Sequence, residues 1–420
     1  MGFASAYLEE RVIFPEFIKE APDKDTAIMV VVPAYDEPGI SRMLDSLSLC
    51  TIPQCSIEVL VVVNAPAEAS DESLRNNKLT LENIEAWRRG NPRTFFRLYP
   101  IETPPGFLKD WGVGLARKTG MDEAVRRFNT IERPDGIILN LDADCQVGKN
   151  YFIALCDELL ARKERSACSI YFEHPLSGDD YPPEVYTHIA LYELHLRYYY
   201  QALMLTGFPY VFHTVGSAIG VRALQYIRAG GMNRKRAGED FYFIQKLVPA
   251  GGYFSLNSTT VYPSPRPSFR VPFGTGASIG KMTESGETVL LTYNPLAFRE
   301  LKIFFSMVDE YYSGKLQEFT GFYNSLPKGL KSFIKEEELF EKLQEIINNT
   351  SGFPAFKKRF FGWFNMFRVV KYLNQVHSAI FEKISVSDAA SELLIEKSKI
   401  GMAHNPVELL TIYRSLEKGN

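Results

Sequence analysis

Valine-rich runs alternate with stretches of helical spacing along the first part of the chain. Residues 26–33 and 57–63 are such runs, typical of strands that are buried on both faces. Between them, residues 40–49 carry apolar side chains at the spacing of one helix face. A strand, a helix and a strand in this order predict a βαβ unit with a right-handed crossover.

The alternation continues to residue 172, and from about residue 290 the apolar spacing becomes helical with few β-branched runs. The sequence therefore predicts an α/β fold in which a mostly parallel sheet is flanked by helices, followed by a helical C-terminal domain. The other predicted elements are strands at 95–99, 136–141 and 167–172 and helices at 112–128, 151–163 and 241–248.

Composition and charge exclude several classes of protein. A formal net charge of -3 over 420 residues gives no basic surface for nucleic acid. The five cysteines lack the paired spacing of a disulfide framework or a zinc site. No signal-peptide pattern and no long uninterrupted apolar run is seen, so we expect a cytoplasmic protein. The first strand-to-helix turn lacks Gly-x-Gly-x-x-Gly and a P-loop, which argues against dinucleotide oxidoreductases and nucleotide hydrolases.

Two carboxylates one residue apart, Asp142 and Asp144, follow the predicted strand at 136–141. Ligands of open α/β sheets lie beyond the carboxyl ends of the strands. Neighbouring carboxylates repel each other, and a hard divalent cation that also binds phosphate oxygens relieves the repulsion. The pattern therefore predicts a metal-diphosphate site, with a solvated loop or a helix N-cap as the alternative.

Four motifs follow one another along the chain: a strand and loop at 30–37, a helix start with glycine and arginine at 114–120, the strand end with two aspartates at 139–144 and a glycine-rich block at 215–253. In this order they resemble the motifs of the inverting family 2 glycosyltransferases, nucleotide-sugar enzymes of the GT-A fold. The resemblance implies a GT-A-like transferase domain whose first half binds the nucleotide and whose second half binds the acceptor. The implied boundaries are an extension at 1–25, the transferase domain at 26–285 with halves 26–145 and 146–285, and a helical domain at 286–420.

The resemblance also implies roles for the acidic residues. Asp240 would be the general base, and Glu239 would hold the acceptor or share that role. Asp144 would bind Mn2+ or Mg2+, while Asp142 would orient the ribose or complete the metal shell. The alternative for Glu239 and Asp240 is that they stabilise the N-terminus of a helix, where negative charge is favoured.

Expected donor contacts lie in the nucleotide half and in one later loop. Arg266 and Arg270 lie in the proline-bounded loop 262–270 and suit a lid that binds phosphate bidentately, with a solvated connector as the alternative. The second strand ends in Val63 and Asn64 where the family usually has two aspartates, which leaves the nucleotide base open. The residues implied for the donor are Pro33, Tyr35, Glu37, Asn64, Arg117, Asp142, Arg266 and Arg270.

The resemblance implies a hexosyltransferase-type enzyme that moves one sugar from a nucleoside diphosphate to a saccharide or glycolipid hydroxyl with inversion, in cell-surface polysaccharide or glycolipid synthesis. The alternatives are a retaining GT-A-like transferase and a catalytically silent sugar-nucleotide-binding or scaffold protein. Basic and aromatic residues alternate over 356–372. We expect a helix packed on its neighbours there, and the alternative is peripheral contact with the inner face of a membrane.

Overall fold

A computed structural model describes residues 2–104, 112–235, 237–268, 270, 274–313, 319–398 and 404–419. Phe269, inside the predicted loop 262–270, and Met1, at the start of the predicted extension, lie outside these residues. The chain divides into two compact units. Unit 1 consists of Met1–Tyr186 and Thr214–Lys281, and unit 2 of Thr187–His213 and Met282–Asn420.

A mixed sheet forms the centre of unit 1, with eight strands among the described residues. These strands are β1 Thr26–Ala34, β2 Ser56–Val63, β3 Phe96–Glu102, β4 Ile137–Asn140, β5 Gln146–Val147, β6 Ala167–Phe172, β7 Ile219–Arg222 and β8 Tyr253–Tyr262. Their spatial order is β3-β2-β1-β4-β7-β6-β8-β5. The pairs β1–β2, β2–β3, β1–β4 and β6–β8 are parallel, and the pairs β4–β7, β6–β7 and β5–β8 are antiparallel. The predicted α/β sheet with a majority of parallel pairs is confirmed.

Helices pack on this sheet, and helix α4, Val113–Thr130, lies close to it at Gly120. A Cβ atom on Gly120 would lie 2.4 Å from Val31 Cγ1 and 2.9 Å from Val62 Cγ2. Only glycine therefore lets α4 lie this close to β1 and β2. The helices of unit 1 are α1 Ser5–Arg11, α2 Ser41–Ser48, α3 Asp71–Gly90, α4 Val113–Thr130, α5 Tyr151–Leu155, α7 Ala223–Arg228 and α8 Glu239–Leu247, with a π-helical turn at Cys156–Leu160 and a 3-10 turn at Val248–Ala250. The helices α6 Pro183–Leu205 and α9 Thr275–Ser285 contain the points where the units divide.

The N-terminal segment packs on α4. Tyr7 Oη donates a hydrogen bond of 2.8 Å to Asp122 Oδ1 inside the protein. The backbone amides of Phe17 and Ile18 donate to the buried carboxylate of Glu123, at 3.4 and 3.2 Å. Because a buried carboxylate needs such donors, these contacts fix the N-terminal segment to the helix.

Unit 2 is helical, as predicted for the C-terminal part of the chain. Its remaining elements are α10 Pro295–Ser306, α11 Val308–Ser313, α12 Phe319–Ser325, α13 Lys328–Phe333, α14 Glu336–Asn348, α15 Phe353–Trp363, α16 Met366–Ala379, α17 Val386–Ser398 and α18 Pro406–Lys418, with two short paired strands, β9 Leu291–Thr292 and β10 Ile384–Ser385. Phenylalanine rings fill its core, with centroids of Phe304 and Phe364 5.0 Å apart.

The segment 356–372 separates its aromatic and basic side chains. Phe356, Phe360 and Tyr372 are completely buried. The basic side chains at 357–359 are exposed. The segment is divided between α15 and α16, so two helices with buried aromatic faces replace the one helix expected there. No helix in the described part of the chain combines the length and the apolar character needed to cross a membrane.

Candidate functional site

Three parallel strands end together at one edge of the unit 1 sheet. The backbone amide of Asn64, after β2, donates to the carbonyl of Ala34 at 3.1 Å, and that of Leu141, after β4, donates to the carbonyl of Val31 at 3.1 Å. The loop after β1 therefore lies beside both Asn64 and the motif 142–144. This is the edge at which open α/β sheets bind ligands.

The loop after β1 contains a left-handed residue, Asp36, with φ of 60°. Helix α3 holds it: Asn76 Nδ2 donates to Asp36 Oδ1 at 2.6 Å, and the Asp36 amide donates to Asn77 Oδ1 at 2.9 Å. A non-glycine residue persists in this conformation only where its surroundings fix it. The two asparagines thus hold the loop that carries Tyr35 and Glu37.

The first group of charges contains Glu37, Asp144, Arg266 and Arg270. Arg270 Nη1 donates to Glu37 Oε1 at 2.6 Å and to the carbonyl of Tyr35 at 2.5 Å. Arg266 also binds Glu37, and its Nη2 lies 3.4 Å from Asp144 Oδ2. The later loop therefore brings both arginines to the carboxylates at the ends of β1 and β4.

The carboxyl of Asp144 binds its proton unusually tightly. Burial raises its pKa to about 7, and the negative charges of Glu37 and Asp142 add to the increase. Arg266 and Arg270 offset only part of it. The ionised form of Asp144 is therefore disfavoured mainly by burial, and a cation bound beside the carboxylate would offset that cost.

The second group of charges surrounds Arg117, which α4 carries into the interior of unit 1. Its Nη2 donates to Asp142 Oδ1 at 2.5 Å, and its Nη1 donates to Glu239. Arg117 is 4% exposed and Glu239 2%. A Cβ atom on Gly216 would lie 2.4 Å from Arg117 Nη1, so glycine at this position makes room for the guanidinium.

Electrostatics within this second group favour a charged arginine between carboxylates. Burial alone would lower the pKa of Arg117, but Asp142 and Glu239 raise it more, and the net shift is upward. Burial raises the pKa of Glu239 to about 7, and Asp240 adds to this increase while Arg117 opposes it. Removing the arginine would leave Glu239 buried without its opposing charge.

Asp240 differs from Glu239 in its surroundings. Gly238, with φ of 71°, precedes α8, and both acidic residues lie in the first turn of that helix. Asp240 is half-buried, and its Oδ1 accepts a hydrogen bond of 2.6 Å from the Phe241 amide. Burial raises the pKa of Asp240 and Arg117 lowers it. Of the two carboxylates, Asp240 is therefore the more accessible to solvent.

The remaining predicted donor residues lie in or next to the strand ends. Pro33 is part of β1 and pairs with Val62 of β2. Asn64 is 4% exposed. Lys118, which follows Arg117, points to the other side of α4, where its Nζ donates to Asp122 Oδ2 at 2.8 Å. The structure thus gathers the predicted charged residues into two groups that share the motif 142–144.

Sequence reasoning missed the residues that hold the site in place. The polar helix α3, with Asn76 and Asn77, was not predicted, although Ser70 before Asp71 and Glu72 is a helix N-cap signal, and Ser70 Oγ does accept from the Ser73 amide at 3.1 Å. The N-terminal contact of Tyr7 with Asp122 was missed as well. One sequence carries no signal for that contact.

The strand-end motif offers two carboxylates, Asp142 and Asp144, as candidate metal ligands. Among the described residues, no group of three or more His, Cys, Asp and Glu side chains is arranged to hold a metal ion. Asp142 and Asp144 remain as two carboxylates one residue apart, and burial raises the pKa of Asp144. The pair fits a cation whose other ligands are phosphate and water oxygens, as is usual for Mg2+.

No protein-family profile matches the chain, and no curated protein sequence matches it. Similar solved structures include S. aureus TarS 1-349 in complex with UDP-GlcNAc, at 14% identity over 78% of this chain and 89% of that chain, with a TM-score of 0.40. Another is the mannosyltransferase PcManGT from Pyrobaculum calidifontis in complex with GDP-Man and Mn2+, at 15% identity over 99% of this chain and 92% of that chain, with a TM-score of 0.36. At such low identities and TM-scores, the activity of this chain has to be inferred from its own residues.

Proposed function

We propose that the chain is a metal-dependent glycosyltransferase of the hexosyltransferase type. It transfers one sugar from a nucleoside diphosphate sugar to a hydroxyl of a saccharide or glycolipid, with inversion. The observation that carries this proposal is the position of Arg117, which joins Asp142 of the strand-end motif to Glu239, the neighbour of Asp240. One buried cation thereby joins a carboxylate pair suited to a metal-bound diphosphate to the helix that carries a candidate base.

The donor diphosphate would bind next to Asp144. Arg266 and Arg270 are within reach of the carboxylates there and are 30% and 31% exposed, so they can turn to phosphate oxygens and bind them bidentately. The loop after β1, with Pro33, Tyr35 and Glu37, and Asn64 after β2 would hold the nucleoside. Arg117 would act from behind this surface by holding Asp142.

Asp144 and Asp142 would hold Mn2+ or Mg2+, and the ion would supply Lewis acidity to the departing diphosphate oxygens. Arg266 and Arg270 would neutralise the same leaving group. Release of a diphosphate needs such charge compensation, because negative charge develops on its oxygens in the transition state.

Asp240 would take the proton of the acceptor hydroxyl as general base. Its raised pKa strengthens it as a base, and its position outside the Arg117 ion pairs leaves it less constrained than Glu239. Attack from the side opposite the leaving group gives inversion. Glu239 would then be a positioning residue that keeps α8 in register with the donor side.

Two other functions remain as alternatives. A retaining transferase would give the opposite product anomer. A silent sugar-nucleotide-binding or scaffold protein would bind donor without turnover.

We also propose a cytoplasmic location and a role in cell-surface polysaccharide or glycolipid synthesis. Peripheral contact with the inner face of a membrane through 356–372 is the alternative location.

Thermal shift with UDP, GDP, ADP and CDP, each with and without Mn2+, tests the proposal. A ligand that binds the folded state at about 100 times its Kd stabilises it by about 2.7 kcal/mol. We expect one nucleotide to raise the Tm, and Mn2+ to increase that shift in the wild type but not in Asp144→Ala. Asp25→Ala, which removes an exposed carboxylate, is the matched control. If none of the nucleotides changes the Tm, the proposal is wrong.

A further inference from the structure

Two cysteines that are far apart in the sequence meet on unit 1. The Sγ atoms of Cys55 and Cys156 lie 3.8 Å apart, although 101 positions separate them along the chain. Both are half-buried thiols, whereas Cys50, Cys145 and Cys168 are buried. Cys55 and Cys156 therefore differ from the other three cysteines in that their sulfurs lie next to each other and are partly accessible to solvent.

The backbone around both residues departs from regular structure. Cys55 lies in the segment between α2 and β2. Cys156 is the first residue of the π-helical turn, where the Ala161 amide donates to the Cys156 carbonyl at 2.8 Å. Such turns within α-helices often occur at functional sites. A non-helical segment facing a π-helical turn can adjust, so that the sulfurs can close to the about 2.05 Å of a disulfide.

The two thiols lie in different electrostatic surroundings. The hydrogen bond with Cys156 lowers the pKa of Cys55, and the positive charge of Arg133 lowers it further, against the opposing effect of burial. The hydrogen bond with Cys55 and burial raise the pKa of Cys156. Since the thiolate is the nucleophilic form, Cys55 is the thiol that reacts first.

We propose that Cys55 and Cys156 form a site of reversible thiol oxidation, in which a peroxide converts the pair to an intramolecular disulfide. The Cys55 thiolate attacks one peroxide oxygen, the O–O bond breaks, and Cys55 becomes a sulfenic acid while hydroxide leaves. The Cys156 sulfur then attacks the Cys55 sulfur, which forms the S–S bond and releases the second oxygen as water. Two electrons pass from the sulfurs to the peroxide, and a dithiol reverses the reaction. This inference does not depend on the proposed transferase activity.

Thiol counting and peptide mapping of the full chain test this site. The reduced protein is treated with a small excess of hydrogen peroxide, quenched, alkylated under denaturing conditions and digested with trypsin. We expect two of the five thiols to be lost, the intact mass to fall by two hydrogen atoms, and dithiothreitol to restore both. The peptides 43–75 and 150–162 should be recovered joined to each other.

Cys50 lies on the same tryptic peptide as Cys55, so Cys50→Ser is the matched control. The joined peptides should persist in Cys50→Ser and disappear in Cys55→Ser. In Cys156→Ser, peroxide should leave a sulfenic acid on Cys55 that dimedone traps, and in Cys55→Ser no such adduct should form on Cys156. Equal Tm values of the reduced variants would show that each is folded. A bond that is lost in Cys50→Ser, a disulfide between two chains, or retention of all five thiols would overturn the proposal.

Discussion

Arg117 Nη2 donates a hydrogen bond of 2.5 Å to Asp142 Oδ1. The same guanidinium binds Glu239, which lies 122 positions further along the chain. A buried cation thus fixes the distance between the strand-end motif and the helix that carries Asp240. The position of α8 relative to the strand-end motif therefore depends on this side chain.

Arg117→Met should destabilise unit 1 strongly. Breaking a buried ion pair costs about 3–5 kcal/mol, because a charge stays buried without its partner. Urea unfolding measures the loss. The double variant Arg117→Met/Glu239→Leu should recover part of it, since the unpaired carboxylate is also removed. Arg42→Met, which breaks the exposed pair with Asp180, is the control and should leave the unfolding midpoint unchanged. Equal midpoints for the wild type and Arg117→Met would contradict this account.

Asp240→Asn should stop sugar transfer without stopping donor binding. Loss of a general base lowers the rate by about 10²–10⁴-fold. The thermal shift caused by the nucleotide should be retained, because Asp240 lies outside the proposed donor contacts. Asp25→Asn serves as the control carboxylate. Full activity in Asp240→Asn would exclude the base role, and loss of the nucleotide shift would place Asp240 at the donor.

The stability difference between Asp144→Asn and the wild type should depend on pH. The pKa of Asp144 is raised to about 7 in the folded protein, against about 3.9 in the unfolded chain. Its favourable contribution is therefore complete below about pH 4 and is lost as the pH rises through about 7. Asparagine mimics the protonated form, so the variant should match the wild type below about pH 4, gain in relative stability between about pH 4 and 7, and keep a constant advantage above about pH 7. Urea unfolding over this pH range measures the difference in the free energy of unfolding. A constant or reversed difference would show that the pKa of Asp144 is not raised in the folded protein.

Gly120→Ala should destabilise unit 1 through overcrowding. The added methyl group would meet Val31 Cγ1 at 2.4 Å and push α4 away from β1. Overpacking of this kind costs about 1–3 kcal/mol. Gly90→Ala, at the end of α3 with nothing within 4 Å of its Cβ, is the matched control and should keep or raise stability by up to about 1 kcal/mol. If Gly120→Ala were as stable as the wild type, α4 would be able to shift away from β1 without loss of stability.

Strands were easier to predict from the sequence than the helices around the site. The strand predicted at 26–33 matches β1, because a continuous run of β-branched residues is typical of a strand that is buried on both faces. Helix α3 was missed because its buried side is largely polar, with Ser73, Asn77 and Thr80, and gives no apolar period. The predicted helix 151–163 is shorter, since the α-helical hydrogen bonds give way to a π-helical turn at Cys156.

The sequence predicted which charged residues lie at the candidate site, but not which of them form ion pairs. Arg266 and Glu37 were both expected at the donor, and the structure pairs them across 229 positions. Arg117 was also expected there, yet it is buried between two carboxylates, because α4 turns it inward beside Gly216. Such long-range pairings depend on the packing of whole elements, which one sequence does not report. The roles of these residues in catalysis and the domain boundaries stay predictions.

Helix α4 is held from two opposite directions, by the sheet at Gly120 and by the N-terminal segment at Tyr7. A rigid shift of the helix would have to break one of these attachments. Its backbone amides should therefore be among the slowest in unit 1 to exchange with deuterium. Mechanically, α4 is a fixed frame to which both Asp142 and Glu239 are attached through Arg117.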